Sequence, residues 1–240
     1  IIFMAERIPS GIKGLDELIG GGFIRSSSIM VSGKTGSGKT LFSTQFLYDG
    51  LLKNEAGVYV TFEERVEDIK KDIEETFGWN FEPFEKKNKL LWLPLRVKRI
   101  WHPVEKKEVL SMGFYQIVQK ILEAIDKIKA KRVVIDSISA IEMMFKDKYM
   151  IRSEVVSLVD SLKERGVTSI FISEVPESEM GVSRLEFLEF VVDTIIKLDF
   201  VYIAKQYQRT LTIRKMRRSK HSTLIHPFII KENGIEVLKV

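Results

Sequence analysis

Eight residues, Gly33-Lys-Thr-Gly-Ser-Gly-Lys39-Thr40, constrain this chain more than any other segment. They follow an apolar run, Ser28-Ile-Met-Val-Ser32, that reads as a buried strand. They open a stretch from Thr40 to Leu52 in which Leu41, Phe42, Gln45, Phe46 and Leu52 fall close to one face of a helix. A glycine-rich turn between a buried strand and a helix is a βα unit, the building block of α/β folds. Its spacing fits G-x-x-x-x-G-K-[ST]. In that pattern the glycines let consecutive backbone N–H groups turn toward one anion, and the helix start adds its positive end. Lys39 then reaches the terminal phosphates of a nucleotide, and the Thr40 hydroxyl ligates Mg²⁺. The residues assigned to the phosphates are therefore Gly33, Lys34, Thr35, Gly36, Ser37, Gly38, Lys39 and Thr40.

The remaining punctuation repeats the strand–helix alternation. Gly57 to Phe62 reads as a second strand, followed by a charged helix from Val66 to Phe77, and Leu90 to Leu95 as a third strand. A long helix is expected from Val109 to Lys129, with Phe114, Ile117, Val118, Ile121, Leu122, Ile125 and Ile128 at i, i+3, i+4 spacing. It leads into Arg132-Val-Val-Ile-Asp136. A helix from about Ile151 to Glu164 stops at Gly166, and Val167 to Ser173 is the next strand. Short apolar strands joined by helices imply a mainly parallel sheet covered on both faces. After Gly181 the pattern becomes strand after strand: Val191 to Val201, Thr210 to Met216, Thr223 to Ile230, and Ile235 to Val240. Such runs form hairpins, so an antiparallel extension is expected at one edge. The only candidate break is the polar stretch from Phe84 to Lys107, and a single domain over 1–240 is the better reading.

Phosphate binding does not by itself give hydrolysis, so the carboxylates matter. Asp136 ends a β-branched run at the sheet edge that would face the phosphates and the metal. Glu63 and Glu64 end the second strand at the same edge, where one of them could polarise or deprotonate an attacking water. Either could instead favour the N-terminus of the next helix. Glu174, closing its own strand, is a candidate sensor of the γ-phosphate.

Composition removes other classes. With no cysteine among 240 residues, disulfides, thiolate zinc sites and cysteine nucleophiles are excluded. His102, His221 and His226 show no metal-ligand spacing. No window approaches the ~18 uninterrupted apolar residues of a membrane span, and Ile1-Ile2-Phe3 is too short for a signal-peptide core, so a cytoplasmic protein is expected. The formal net charge of +5 is regional. Residues 201 to 240 hold nine Lys/Arg against two Asp/Glu, a balance of +7 that leaves −2 for the rest. Six of the nine lie between Arg209 and Lys220.

In combination these features resemble the RecA superfamily of ATPases, and within it the single-domain archaeal relatives of the clock protein KaiC, close also to the RadA recombinases. The resemblance rests on Arg7 to Gly22 as an entry motif, the phosphate loop, Thr61-Phe-Glu-Glu64, Phe77-Gly-Trp79, Val133 to Ser137 and Asp193-Thr-Ile-Ile196, in family order. It implies a RecA-type core that assembles as a homo-oligomer, a hexameric ring or a filament with the hexamer favoured, with ATP or ADP and Mg²⁺ at the subunit interfaces. Lys215-Met-Arg217 followed by His221 is similar to the family's K-x-R motif, whose cations project onto the γ-phosphate held by a neighbouring subunit. The resemblance thus implies catalytic roles for Lys39, Lys215, Arg217 and Glu63 or Glu64. It places Leu41, Glu174, Arg209, His221 and Ile230 about the nucleotide, with Thr40 and Asp136 at the metal. Glu189 and Phe190 stand where the clock protein's autophosphorylating half carries Ser and Thr, so autokinase activity is not expected. Arg218 stands where the family has Gly.

The resulting expectation is a regulatory or signalling ATPase acting on a protein partner. RadA relatedness permits DNA binding, in which case the protein would be a recombination accessory. The loop Glu174 to Arg184 carries three carboxylates and one Arg, which does not favour it. Lys146, Lys148 and Arg152 are more permissive. Arg96 to Trp101 mixes cations with an aromatic residue that could stack a base but is read as core or surface. An ATP-binding scaffold with little turnover is a further alternative, opposed by Glu63, Glu64 and the finger residues.

Overall fold

The computed structural model describes residues 5–96, 98–102, 104, 107–145, 147–175, 187–203 and 206–239. In the first half the elements are β1 (Arg7–Ile8), α1 (Leu15–Leu18), β2 (Phe23–Ile24), β3 (Ser28–Gly33), α2 (Lys39–Leu52), β4 (Gly57–Thr61), α3 (Val66–Phe77), α4 (Glu82–Lys86) and β5 (Leu90–Pro94). A hairpin of β6 (Arg99–His102) and β7 (Lys107–Leu110) precedes α5 (Phe114–Ile128) and β8 (Arg132–Asp136). Then come α6 (Ile138–Met144), α7 (Lys148–Glu164), β9 (Thr168–Glu174) and α8 (Leu188–Val191). The chain closes with β10 (Thr194–Ile203), β11 (Gln206–Met216), β12 (Ile225–Lys231) and β13 (Gly234–Val237).

Nine strands form one sheet in the order β13-β12-β11-β10-β3-β9-β8-β4-β5. From β10 to β5 every pairing is parallel, and from β10 to β13 every pairing is antiparallel. This is the α/β architecture with a C-terminal antiparallel extension that the sequence pattern implies. The strand runs are apolar throughout because both faces are covered, and alternate residues enter different cores. Met30, Val58, Val60, Val133, Ile135 and Phe171 join α5, α6 and α7 on one side. Ile29, Val31, Tyr59, Val134, Ile170 and Ile172 join α1, α2 and α3 on the other.

Three element readings are corrected. The helix expected from Val109 starts only at Phe114, because residues 107–110 pair with 99–102 and the Gly113 N–H donates to Gln116 Oε1 at 2.9 Å, closing the N-terminus there. The helix expected from Ile151 begins three residues earlier, at Lys148. The Asp147 carboxylate accepts from the Met150 N–H at 3.0 Å, a cap that apolar spacing cannot reveal. The strand expected from Val191 starts at Thr194, after the short α8 turn. Leu52 also departs from its expected face: it is 64% exposed, whereas α2 buries Ser43, Thr44, Leu47 and Leu51 as well as its apolar stripe. A helix lying across the middle of a sheet face is covered on more than one side.

Trp79 packs in an aromatic cluster, stacked on Tyr48 at 5.1 Å with Phe77 also at 5.1 Å, a core role as expected. Among the described residues no helix is long and apolar enough to cross a membrane, and no cluster of His, Asp and Glu could hold a metal by itself.

Candidate active site

The parallel strands deliver the functional groups to one sheet edge. Gly33 pairs with Glu174 across β3 and β9, and Thr61 pairs with Asp136 across β4 and β8, so all four lie at the C-terminal ends of their strands. That edge, where the chain leaves the sheet for loops, is where open α/β sheets bind ligands.

Between β3 and α2 the loop is tightly seated. A Cβ at Gly33 would stand 2.3 Å from the Leu198 carbonyl oxygen and 2.6 Å from Ser37 Oγ, so any larger residue would push β10 away. Gly38 caps α2 with φ of 98°, a left-handed conformation that glycine adopts without strain. The first bond of the helix runs from the Phe42 N–H to the Gly38 carbonyl at 2.9 Å. The preceding N–H groups have no partner within the helix and are available to an anion. Rings of Phe200 and Phe228 lie behind Gly36 and Gly38.

The pocket in front of the loop has a volume of about 240 Å³. Thr35, Gly36, Gly38, Lys39, Thr40 and Leu41 form one wall, and Thr61 with the carboxylates Glu63, Glu64, Asp136 and Glu174 forms the other. Lys39 Nζ donates to the Lys34 carbonyl at 2.8 Å. Burial draws the Lys39 pKa down, while Glu174, Asp136 and Glu64 oppose the shift. Thr40 Oγ1 donates to Asp136 Oδ2 at 3.3 Å, and the Tyr59 hydroxyl donates to the same oxygen at 2.6 Å. Burial pushes the Asp136 carboxyl up to about 6, with Glu64 adding to the rise and the Tyr59 and Thr40 hydrogen bonds opposing it.

Desolvation in the cleft and the charge of Glu174 also hold Glu63 above the usual carboxylate range, and the Ser137 hydroxyl 3.5 Å from Glu63 Oε2 opposes this. Desolvation, then Asp72 and Glu63, raise Glu64. Four acids facing a nearly buried lysine form a site in which an added cation would relieve repulsion. The Thr40 hydroxyl and the Asp136 carboxylate, 3.3 Å apart, are hard oxygen donors of the kind Mg²⁺ takes. Arg96 Nη2 donates to the Glu63 carbonyl at 3.3 Å, and the Thr61 hydroxyl to that of Glu64 at 2.9 Å, fixing the turn that carries both carboxylates.

The other assigned residues divide into two places. Arg209 pairs with Phe200 two steps beyond the pairing of Leu198 with Leu211, which lies level with Gly33. It therefore lies beside the glycine loop without lining the pocket, its guanidinium 4.7 Å above the Phe200 ring that backs Gly36. Ile230 does not line this pocket but a separate recess of about 570 Å³, with Thr76 and Phe77. Lys215 and Arg217 flank Met216, which pairs with Thr194 beside Ile29, at the opposite end of β3. There Lys215 Nζ donates to the carbonyls of Glu189 and Val192 at 2.8 and 2.7 Å, and Arg217 Nη2 to that of Phe190 at 2.7 Å. His221 follows beyond the turn after β11, with Nδ1 2.9 Å from the Ser222 carbonyl oxygen.

Lys146 and residues 176–184 of the loop after β9 lie outside the described residues. Sequence reading missed Tyr59, whose alternation reads as plain core, and Ser139, whose hydroxyl accepts the Glu174 N–H at 2.9 Å.

Comparison with known proteins places this geometry. The family model described as "ATPase: KaiC" matches residues 8–240. A "UPF0273 protein" of Thermotoga maritima is 36% identical over 98% of this chain and 96% of its own length. A circadian clock oscillator protein KaiC of Prochlorococcus marinus is 35% identical over 99% of this chain, which spans 46% of that longer protein. The crystal structure of a KaiC-like protein of Pyrococcus horikoshii superposes with a TM-score of 0.85 at 35% identity, covering 98% of this chain and 100% of the other. A RecA-type nucleotide-binding core, matched in sequence and in structure along nearly its full length, makes this chain a member of the KaiC family of ATPases.

Proposed function

We propose that residues 1–240 act as one Mg²⁺-dependent ATPase unit whose active site is completed by Lys215 and Arg217 of a second copy. The observation that carries this reading is the strand register. Ile29 and Gly33 are four steps apart on β3, roughly 13 Å at ~3.3 Å per residue, and the two cations stand at the Ile29 end. The phosphate loop lies beyond the Gly33 end, so a chain's own Lys215 and Arg217 stand at the other end of the sheet from its own pocket, bonded to the carbonyls of residues 189–192.

In this reading the loop N–H groups and Lys39 hold the phosphates of ATP, and Thr40 and Asp136 would hold the metal. Bound Mg²⁺ would neutralise charge on the β- and γ-phosphates. Glu63 or Glu64 orients the attacking water and accepts its proton, helped by a pKa already above the usual range. Glu174 reports on the γ-phosphate. Lys215 and Arg217 from the neighbour offset the charge of the transferring group, an effect worth about 10³–10⁵ in rate for fingers of this kind. The assembly is a homo-oligomer, a hexamer by analogy with the family, which switches with nucleotide state and regulates a protein partner. Glu189 and Phe190 offer no hydroxyl for autophosphorylation.

Mixing subunits tests the reading. Lys39→Ala subunits lack a working loop, and Arg217→Ala subunits lack a working finger. Each alone should be inactive, with Lys39→Ala also losing nucleotide binding, whereas a mixture should regain part of the turnover at interfaces that pair a good loop with a good finger. No recovery in mixed oligomers refutes action between subunits.

A further inference from the structure

Tyr59 occupies the middle of β4, wholly buried on the α2 side of the sheet, its ring centroid 5.0 Å from that of Trp92. It pairs with Val134, two positions before the level at which Thr61 meets Asp136. From there its hydroxyl reaches forward to donate to Asp136 Oδ2 at 2.6 Å, the shorter of the two bonds to that oxygen. Phenylalanine would fill the same space against Trp92 and the α2 face, so packing does not account for the hydroxyl. A phenol has one proton to give, and here it goes to a carboxylate oxygen that Thr40 also contacts. Two donors from different elements, β4 and the first turn of α2, converge on Oδ2 and restrain the carboxylate's rotation about its Cβ–Cγ bond. Oδ1 is left outside both bonds.

We infer that Tyr59 is a positioning residue that sets the orientation in which Asp136 presents its carboxylate to the metal. This rests on the reading of Thr40 and Asp136 as the Mg²⁺-holding pair. Groups that orient a ligand in this way typically change metal affinity by 10–100-fold when removed.

The test uses the full chain with ADP and takes Mn²⁺ as the probe, following free Mn²⁺ by electron paramagnetic resonance. ADP affinity in EDTA and thermal unfolding are measured alongside. Tyr59→Phe should weaken Mn²⁺ binding to the ADP complex about 10-fold or more, and leave ADP affinity in EDTA within about twofold. Trp92→Phe disturbs the same aromatic stack without touching the hydrogen bond and should leave Mn²⁺ affinity near the wild-type value. Equal weakening in both variants overturns the inference, because the effect would then be one of packing. Unchanged Mn²⁺ affinity in Tyr59→Phe also overturns it, provided Asp136→Asn is impaired. If Asp136→Asn binds Mn²⁺ normally as well, the underlying reading of the metal pair fails instead.

Discussion

Replacing Asp136 by Asn gives the most quantitative check on the electrostatics of the pocket. Its carboxyl is pushed from an ordinary 3.8 to about 6, first by burial and then by Glu64. Between those values the native carboxyl keeps a proton that the unfolded chain has already released. The native state therefore binds more protons, and stability falls as pH rises through this window. A difference of about two units at 1.36 kcal/mol each corresponds to about 2–3 kcal/mol, fully expressed above roughly pH 7 and absent below roughly pH 4. Asn keeps the shape and can accept from Tyr59 and Thr40 through its amide oxygen, but carries no charge. Urea unfolding of both proteins in EDTA without nucleotide, at intervals from pH 4 to 8, measures the difference. The variant should gain about 2–3 kcal/mol over the wild type as pH rises from 4 to 7. With MgATP present above pH 7 the order should reverse, since the wild type alone would draw binding energy from the metal. A stability difference that does not change with pH would refute the burial argument for Asp136.

Two further outcomes follow from the same geometry. Glu63→Gln and Glu64→Gln should both retain nucleotide binding, and the variant that removes the base should lose turnover by about 10²-fold or more in a phosphate-release assay; full activity in both would exclude either as the base. Gly33→Ala places a Cβ 2.3 Å from the Leu198 carbonyl oxygen, so β3 and β10 must separate. A loss of about 1–3 kcal/mol in chemical denaturation is expected, and an unchanged midpoint would contradict the seating of the loop against β10.

Much of this molecule is local in origin. The strand, glycine loop and helix of residues 28–52 are contiguous, so the candidate phosphate site is legible without any knowledge of the rest. Asp136, Glu63, Glu64 and Glu174 are legible for a related reason: each lies at or just beyond the end of an apolar strand, and parallel strands bring equivalent ends to one edge. The hairpin of residues 99–110 was not legible, because its strands carry no clear alternation and its existence depends on pairing. Nor was the start of α7, which a single capping carboxylate decides.

The class of fold and the glycine-rich turn between a strand and a helix are legible in residue type and spacing over a few turns of chain. Where the remaining groups stand depends on pairing between strands distant in sequence. Arg209 and Arg217 lie eight residues apart on and just beyond one strand, yet register puts the first beside the phosphate loop and the second at the far end of the sheet. Tyr59 and Asp136 are 77 residues apart and meet through one hydrogen bond. Side-chain periodicity tells which face of a sheet a residue takes, whereas its height along the sheet is set by non-local ladders between strands.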